Sequence, residues 1–357
     1  MQSNKTILVA AAGAGKTHTI VCEALKHADK LIITTFTDKN TEEIKNRFYQ
    51  INNRIPENVI ILPWYTFLLK YFIRPFQSKF YATDIEGIEM QNGQSAKFKN
   101  KGSIEYYFSN SKRIYSDKIG ALSCKLIEDF NDFPLDNLSK IAQSIFIDEM
   151  QDMAGYDLEL IGKLMDYSNL NVFCVCDPRQ STIVTSKGRK NKPRTKVNIL
   201  SFFKNKSVII DDTSLNINKR CVNAICDLSN RLFPNFLEVK SEVCYDDKHK
   251  GIFFVRNEDC FEYISKYRPM QLTYNSRSKY LKNFPHINIR LSKGQTYNRV
   301  IIYTTEKMNS WLLNNKTELA DQTRCMFYVA LTRARYSVAI VYNYPEKFSH
   351  NLIQQYK

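Results

Sequence analysis

Short apolar runs alternate with polar, amphipathic stretches along most of the chain. The first series of runs is TILVA, LIITTF, NVIILP, SIFID and NVFCVC, each followed by polar or helix-like sequence. The second series is SVIIDD, GIFFV, MQLTY, RVIIY and SVAIVYN. Runs of this length between helical segments are typical of parallel strands that crossover helices cover on both faces. The pattern therefore predicts an α/β fold with two sheets.

The change from the first series to the second predicts a domain boundary near residue 205. We expect a first domain over residues 1–205 and a second over residues 206–357. Residues 74–137 differ from both, because they are rich in Tyr, Phe, Lys and Asn and contain no strong strand pattern. We interpret this segment as a small, mainly helical insertion in the first domain.

The composition favours a globular protein with an anionic partner. The 357 residues are 43% hydrophobic and 24% charged, and the formal net charge is +15. A strongly basic balance is typical of nucleic-acid binding, although it also serves general solubility. The nine cysteines form no CxxC pair and do not cluster with the five histidines, which predicts reduced thiols and a cytoplasmic location. No apolar run reaches the length that spans a membrane, so we expect no membrane partner.

A phosphate-binding loop is predicted directly after the first strand, in AAAGAGKT (Ala10–Thr17). Small residues between a strand and a helix let backbone N–H groups converge on phosphates. Lys16 would contact the β- and γ-phosphates, and the Thr17 hydroxyl would bind Mg²⁺. The residues predicted to bind nucleotide in this loop are Ala12, Gly13, Ala14, Gly15, Lys16 and Thr17.

Paired acids end another apolar run, in SIFIDEMQD (Ser144–Asp152). Asp148 would bind Mg²⁺, and Glu149 would orient and deprotonate the attacking water. An apolar run that ends in two acids is common on its own. Together with the phosphate-binding loop, it predicts hydrolysis of a nucleoside triphosphate, with ATP and Mg²⁺ as the cofactors.

Six segments along the chain carry a family resemblance. In chain order they are TTFTDKNTEEIKNR, IDEMQD, CDPRQS, LNINKRC, LSKGQTYNRVII and YVALTRAR. These segments resemble the motifs of UvrD/Rep-like superfamily 1 DNA helicases, in the family's order and over nearly the whole chain. The resemblance implies two RecA-like P-loop domains with parallel sheets and ATP hydrolysed in the cleft between them. It also implies movement along single-stranded DNA, in the 3′→5′ direction.

The resemblance assigns roles to residues outside the phosphate-binding loop. Gln180 would sense the γ-phosphate, and Arg220 and Arg333 would act as arginine fingers from the second domain. Gly294, in the segment similar to the family's Ser-x-Lys-Gly box, would line the nucleotide site. Lys219 stands where the family has a tyrosine that stacks on adenine, so the choice of base stays open.

A track for single-stranded DNA across both domains is also implied by the resemblance. Its candidate contacts are Phe36, Thr37, Tyr65, Thr66, Arg277 and Ser292. Aromatic faces stack on any base, so such a track tolerates any sequence. Trp64 and Phe67 lie beside two of these candidates. They could contribute to the same track, or they could be core residues at the start of a helix.

The segment after Gln180 departs from the family. A tyrosine and a tryptophan follow the Gln-Ser pair in the family and stack on bases, whereas this chain reads TIVTSKG. Six of the ten residues from Lys187 to Lys196 are basic. Lys190 and Arg194 in this run would contact phosphates instead. A solvated loop is the alternative interpretation.

The family's large accessory subdomain has no room here, because 13 residues separate Arg277 from Leu291. We therefore expect a compact motor that acts on single-stranded DNA or on a DNA end or junction. The alternative is an ATPase subunit that gates a protein partner, such as a nuclease in a prokaryotic antiviral defence system, with little unwinding of its own. A P-loop kinase or GTPase is disfavoured, since no Asn-Lys-x-Asp element is present.

Overall fold

The computed structural model describes residues 4–80, 84–183, 185, 190–194, 196–314 and 317–357. The chain divides into two compact units. The first comprises Met1–Val9, Lys16–Pro178 and Ile183–Asp211, and the second comprises Ala10–Gly15, Arg179–Thr182 and Asp212–Lys357. Each unit contains a six-stranded sheet whose central strands pair in parallel. The predicted α/β fold with two parallel-sheet domains is confirmed.

The first unit is organised around the sheet of order β3-β2-β6-β7-β1-β8. The first eight strands of the chain are β1 (Lys5–Ala10), β2 (Leu31–Thr35), β3 (Val59–Pro63), β4 (Gly87–Glu89), β5 (Arg113–Tyr115), β6 (Ser144–Ile147), β7 (Asn171–Cys176) and β8 (Ile209–Leu215). The helices are α1 (Lys16–Ala24), α2 (Asp38–Asn52), α3 (Trp64–Leu68), α4 (Ile119–Asp129), α5 (Phe133–Ile141) and α6 (Tyr156–Asp166).

The central strands of this sheet are apolar because they are covered on both faces. β2 and β6 are buried along their whole length. Ile147 at the end of β6 pairs with Cys174 of the parallel strand β7. The residues that follow these two strands, Asp148 and Asp177, therefore lie at the same edge of the sheet, where parallel α/β sheets bind ligands.

The run SVIIDD leads into β8 and provides its first four residues, and β8 is the edge strand beside β1 in the first sheet. Its predicted place in the second series is therefore wrong. The strand is mostly exposed or half-buried, as expected for an edge strand. An apolar run in sequence order does not reveal which sheet its strand joins, and this run directly follows the predicted boundary. The other four runs of the second series do lie in the second sheet.

The segment 74–137 contains α4 and the start of α5, together with short 3₁₀ turns. It also contains a two-stranded parallel sheet of β4 and β5, which pairs Ile88 with Ile114. The sequence did not indicate this small sheet, because each of its strands has only 3 residues. Ile119, Leu122 and Leu126 of α4 are buried in the main core of the unit, so the segment is part of that core.

The second unit is organised around the sheet of order β13-β12-β14-β15-β11-β16, in which all pairs are parallel. The remaining strands are β9 (Ile217–Asn218), β10 (Lys240–Ser241), β11 (Gly251–Val255), β12 (Met270–Thr273), β13 (His286–Asn288), β14 (Tyr297–Tyr303), β15 (Ala334–Val341) and β16 (Gln354–Gln355). The helices are α7 (Asn223–Leu232), α8 (Cys260–Tyr267), α9 (Glu306–Leu313) and α10 (Asp321–Leu331).

Two further features concern the whole chain. Across the described ranges, no helix combines the length and apolarity needed to cross a bilayer. All nine cysteines are free thiols, and all except Cys22 and Cys244 are buried. The cysteines therefore contribute to the cores mainly as small apolar side chains.

Candidate nucleotide and nucleic-acid sites

A lysine and an acid lie together in the first unit, where α1 begins and β6 ends. Lys16 Nζ is 3.5 Å from Glu149 Oε1, and the two side chains are 11% and 13% exposed. Lys16 Nζ is itself buried and has no hydrogen-bond partner among the described residues. A buried ammonium group with unused donors favours an additional anion. The surroundings of Lys16 therefore fit the phosphate groups of a nucleotide.

Asp148 and Glu149 follow β6 in a constrained backbone conformation. The Asp148 N–H donates to the Thr34 carbonyl oxygen at 2.9 Å, and the Asp148 carboxylate accepts from the Glu149 N–H at 2.8 Å. Glu149 has a left-handed φ of 53°, which is uncommon outside glycine and concentrates at functional sites. Burial, with the neighbouring Glu149 charge, raises the pKa of Asp148. A carboxyl whose ionised form is destabilised in this way fits a bound cation.

Gln151 joins the ends of β6 and β7. Its side-chain amide donates to the Glu149 carboxylate, and its Oε1 accepts from the Asp177 N–H at 3.0 Å. Gln151 is fully buried, and its bond to the Asp177 N–H is buried as well. This glutamine is not among the residues predicted from the sequence. The local signal was its place in IDEMQD, one of the segments with the family resemblance, whereas the bond to Asp177 depends on the pairing of the strands.

The predicted magnesium ligands are few. Thr17 Oγ1 donates to Glu43 Oε1 at 3.4 Å. Within the described part of the chain, no group of three His, Cys, Asp or Glu side chains could hold a metal ion. Mg²⁺ commonly takes one or two protein ligands and completes its octahedron with phosphate oxygens and water. A hydroxyl from Thr17 and a carboxylate from Asp148 suit that chemistry.

The glycine-containing part of the phosphate-binding loop is held by Asn218 within the second unit. Asn218 Nδ2 donates to the Ala12 carbonyl oxygen at 2.7 Å, and the Lys219 N–H donates to the Gly13 carbonyl oxygen at 3.0 Å. A Cβ on Gly13 would lie 2.8 Å from Asn218 Oδ1, and the φ of Gly13 is +76°. Gly13 is therefore required by both space and backbone conformation.

Asn218 also organises the backbone that carries Arg220. Its Oδ1 accepts from the N–H groups of Arg220 and Cys221, both at 2.7 Å. The Arg220 guanidinium donates to the Thr332 carbonyl oxygen at 3.1 Å. Asn218 is the asparagine of LNINKRC, yet it is not among the residues predicted from the sequence. The motif itself was the one local signal, because the loop that Asn218 contacts is more than 200 residues away in sequence.

Two of the predicted catalytic residues, Gln180 and Arg333, are in direct contact within the second unit. Arg333 is 1% exposed. Its guanidinium donates to Gln180 Oε1 at 3.1 Å, to the Gln295 carbonyl oxygen at 3.2 Å and to the Val329 carbonyl oxygen at 3.2 Å. Gly294, which precedes Gln295, has a φ of +81°, so a glycine suits this turn.

The nucleic-acid candidates of the first unit follow β2 and β3. Phe36 and Tyr65 pack edge to face, with ring centroids 5.9 Å apart, and both are half-buried. Thr66 is exposed. Thr37 caps α2, because its hydroxyl oxygen accepts from the Asn40 N–H at 3.2 Å. The nucleic-acid role of these four residues stays a prediction.

Trp64 and Phe67 are core residues, which confirms the second of the two interpretations given for them. Both side chains are fully buried. Trp64 Nε1 donates to Asp157 Oδ1 at 2.9 Å. Burial raises the pKa of Asp157 to about 6, although hydrogen bonds from Trp64 and Thr185 oppose the shift. Asp157, in the first turn of α6, therefore anchors the start of α3.

The other nucleic-acid candidates lie in different surroundings. Arg277 is exposed and lines a cavity of about 610 Å³ in the second unit. Ser292 is fully buried, and its hydroxyl donates to the Ile289 carbonyl oxygen at 2.7 Å, which gives this side chain a structural role.

The basic run is partly described. Residues 186–189 and 195, which include Lys187, lie outside the described residues. Lys190 Nζ is 3.5 Å from Glu159 Oε2 and 4.8 Å from the centroid of the Tyr156 ring. Arg194 is exposed. The contact of Lys190 and Arg194 with phosphates stays a prediction.

Two protein families match the sequence. Residues 1–186 match the AAA domain family, and residues 100–342 match the family described as the viral superfamily 1 RNA helicase core domain. No curated protein sequence matches the chain.

Solved structures with a similar fold include helicases of arteriviruses. The arterivirus nonstructural protein 10 (helicase) matches with a TM-score of 0.51 and 14% identity, over 96% of this chain and 62% of that chain. A complex of arterivirus nonstructural protein 10 with DNA matches with a TM-score of 0.50 and 14% identity, over 95% of this chain and 60% of that one. This chain therefore spans less than two thirds of the length of these proteins. At such identity the likeness concerns the fold alone.

Proposed function

We propose that this chain, which belongs to the superfamily 1 helicase family, is an ATPase that moves on single-stranded DNA and hydrolyses ATP in response to it. The observation that carries the proposal is Lys16, a buried ammonium group with unused donors beside the acid Glu149. A lysine in this setting is suited to a triphosphate, and a nearby carboxylate is suited to activate water.

The proposed hydrolysis uses residues of the phosphate-binding loop together with the acids that follow β6. Lys16 would hold the β- and γ-phosphates, while Thr17 and Asp148 would hold Mg²⁺. The ion would supply positive charge to the phosphate oxygens. Glu149 would orient the attacking water and accept its proton, with its carboxylate held by Gln151. Phosphoryl transfer depends mainly on positioning and charge, and this arrangement provides both.

We propose that Gln180 and Arg333 act as one unit. Arg333 would stabilise the negative charge that develops on the transferred phosphoryl group, and Gln180 would report the presence of the γ-phosphate. Their direct contact at 3.1 Å supports this pairing, since a movement of either side chain displaces the other. Arg220 would be the second arginine finger, with its backbone fixed by Asn218.

The branch of the family and the direction of movement are proposals that rest on the motifs. Segments such as YVALTRAR support the UvrD/Rep-like branch and 3′→5′ movement. The alternative function is an ATPase subunit that gates a protein partner such as a nuclease. It is favoured by the 13 residues between Arg277 and Leu291, which leave no room for an accessory subdomain.

The test is the rate of ATP hydrolysis with and without single-stranded DNA, with single-stranded RNA as a parallel measurement. We expect DNA to stimulate ATP hydrolysis. We expect the Glu149→Gln variant to bind ATP but to hydrolyse it at least about a hundredfold more slowly than wild type. The control is Glu57→Gln, the same change at an exposed glutamate far from the nucleotide motifs in sequence. A wild-type protein that binds nucleotide but is stimulated by neither nucleic acid would refute the motor function. Turnover retained in Glu149→Gln would remove Glu149 as the base.

A further inference from the structure

A buried arginine lies directly before Gln180, within the second unit. Arg179 is 5% exposed, and its guanidinium carbon is 5.3 Å from the centroid of the Phe236 ring and 5.3 Å from that of the Tyr328 ring. A guanidinium group within about 6 Å of an aromatic centroid is attracted to the face of the ring, and the attraction is stronger where water is excluded. Arg179 therefore helps to fix the ring of Tyr328, a residue of α10.

Tyr328 connects α10 to the phosphate-binding loop. Its side chain is buried, and its hydroxyl oxygen accepts from the Ala12 N–H at 3.3 Å. The Ala12 carbonyl oxygen accepts from Asn218, so side chains of the second unit hold both polar groups of the Ala12 backbone. Phe233 packs edge to face on Tyr328, with ring centroids 5.6 Å apart. Because the phenol oxygen lies in the plane of a rigid ring, the contacts of the ring decide where the hydroxyl lies.

Two neighbouring residues after β7 each contact a residue of YVALTRAR. Arg179 contacts the Tyr328 ring, and Gln180 Oε1 accepts from the Arg333 guanidinium at 3.1 Å. Arg179 and Gln180 belong to one 3₁₀ turn, Pro178–Gln180. The turn that carries the proposed γ-phosphate sensor is therefore joined to the phosphate-binding loop through Tyr328, and not only to the arginine finger through Gln180.

We infer that Tyr328 and Arg179 are positioning residues of the nucleotide site. The Tyr328 hydroxyl fixes the backbone of Ala12, and with it the direction of the N–H groups that follow in the loop and converge on phosphates. Arg179 acts one step further away, because it fixes the ring that carries this hydroxyl. The identity of the ligand, a nucleotide with a β-phosphate, rests on the proposed function, whereas the contacts themselves belong to the second unit alone.

Tyr328→Phe removes the hydroxyl and keeps the ring. We expect the affinity for a fluorescent ADP analogue to fall about tenfold and the KM for ATP to rise, the effect of one lost buried hydrogen bond. The turnover number at saturating ATP should change less than about twofold, because the loop holds the phosphates alike in the ground state and the transition state. A hydroxyl with only a structural role would lower the melting temperature without this separation of KM from kcat.

Arg179→Lys keeps the positive charge and removes the planar group that contacts the rings. Alone, it should weaken the binding of the ADP analogue about fivefold. Added to Tyr328→Phe it should cause no further loss, because Arg179 acts through the hydroxyl that the first substitution has removed. If the two losses multiply instead, Arg179 does not act through Tyr328 and its part of the inference is wrong.

The matched control is Tyr263→Phe, at a fully buried tyrosine of α8 whose hydroxyl is hydrogen-bonded to His249 Nε2 at 2.8 Å. This variant should bind the ADP analogue like wild type, and thermal melting shows which variants fold. A folded Tyr328→Phe variant with the ADP affinity and KM of wild type overturns the inference and leaves the proposed function standing. If Tyr328→Phe does not fold, unchanged ADP affinity in Arg179→Lys overturns it. A wild-type protein that binds neither ADP nor ATP refutes both.

Discussion

At the scale of single residues, Arg333 has both a positive charge for catalysis and hydrogen bonds that hold the fold around it. Its three guanidinium contacts hold Gln180 and two backbone carbonyl groups in a position that is 1% exposed. Replacement by alanine would remove one donor from each of these buried acceptors, and an acceptor left unsatisfied costs roughly 1–3 kcal/mol. Loss of folding and loss of catalysis would then be hard to separate, so alanine is a poor probe of this position.

Arg333→Lys keeps the positive charge and removes the planar set of donors. We expect the turnover number to fall by about a thousandfold, the effect typical of an arginine finger, while the dissociation constant for ATP changes only a few-fold. Steady-state hydrolysis and titration with a fluorescent ATP analogue measure the two quantities. Arg335→Lys, two residues on and exposed, is the control. A fall in ATP affinity with unchanged turnover would show that Arg333 binds ground-state nucleotide only.

At the scale of elements, the phosphate-binding loop depends on a contact that no local pattern contains. The loop itself was predictable, because small residues between an apolar run and a helix have few other uses. The strand end with Asp148 was predictable for the same local reason. Asn218, Asp157 and the place of β8 in the first sheet were not, since each depends on partners distant in sequence. The contact of Asn218 with Ala12 joins residues 206 apart in sequence, and that of Asp157 with Trp64 joins residues 93 apart.

Gly13→Ala tests the contact between the loop and Asn218. The added Cβ would lie 2.8 Å from Asn218 Oδ1, in a backbone conformation that costs a non-glycine residue roughly 1–2 kcal/mol. We expect at least a tenfold loss of ATP affinity, because the loop must shift to relieve the clash. Gly93→Ala is the control, since its Cβ would meet nothing within 4 Å. Equal ATP affinity in the two variants would show that the loop tolerates the methyl group.

Asp157 makes a prediction about pH at the same scale. Burial raises its pKa to about 6 in the folded state, above the ordinary value of 3.8. The folded protein therefore binds a proton that the unfolded chain has released, and stability falls as the pH rises from about 4 to about 6. Asp157→Asn keeps an acceptor for Trp64 and cannot ionise. As the pH rises between these two values, the free energy of unfolding of the variant should increase relative to that of wild type by up to about 3 kcal/mol.

Thermal melting followed by tryptophan fluorescence at a series of pH values measures this gain. Asp148 has a raised pKa as well, but it is present in both proteins and cancels in the difference. Asp246→Asn, the same change at an exposed aspartate, is the control. If the stabilities of wild type and Asp157→Asn changed with pH in the same way across this range, the pKa of Asp157 would be the same in the folded and unfolded states, and the prediction would be wrong.

At the scale of the whole molecule, the chain carries the helicase fold with little added to it. It spans 62% of the arterivirus helicase, and 13 residues stand where an accessory subdomain would be inserted. The charge of +15 favours a strand of phosphates as the partner. A motor needs two closing domains to convert hydrolysis into movement, whereas efficient strand separation also needs a surface that splits the duplex. Movement and unwinding are therefore expected to separate in this protein.

We expect the chain to displace streptavidin from biotin at the 5′ end of a single strand, and to unwind a duplex with a 3′ tail only weakly by itself. Displacement from the 5′ end follows from movement in the 3′→5′ direction, so displacement from the 3′ end would reverse the predicted polarity. Lys16→Ala is the control, because a protein without ATP turnover cannot displace either label. Strong unwinding by the isolated chain would show that the compact fold contains its own means of splitting a duplex. Stimulated hydrolysis with no displacement at either end would favour the partner-gating ATPase, in which nucleic acid triggers a conformational change without movement.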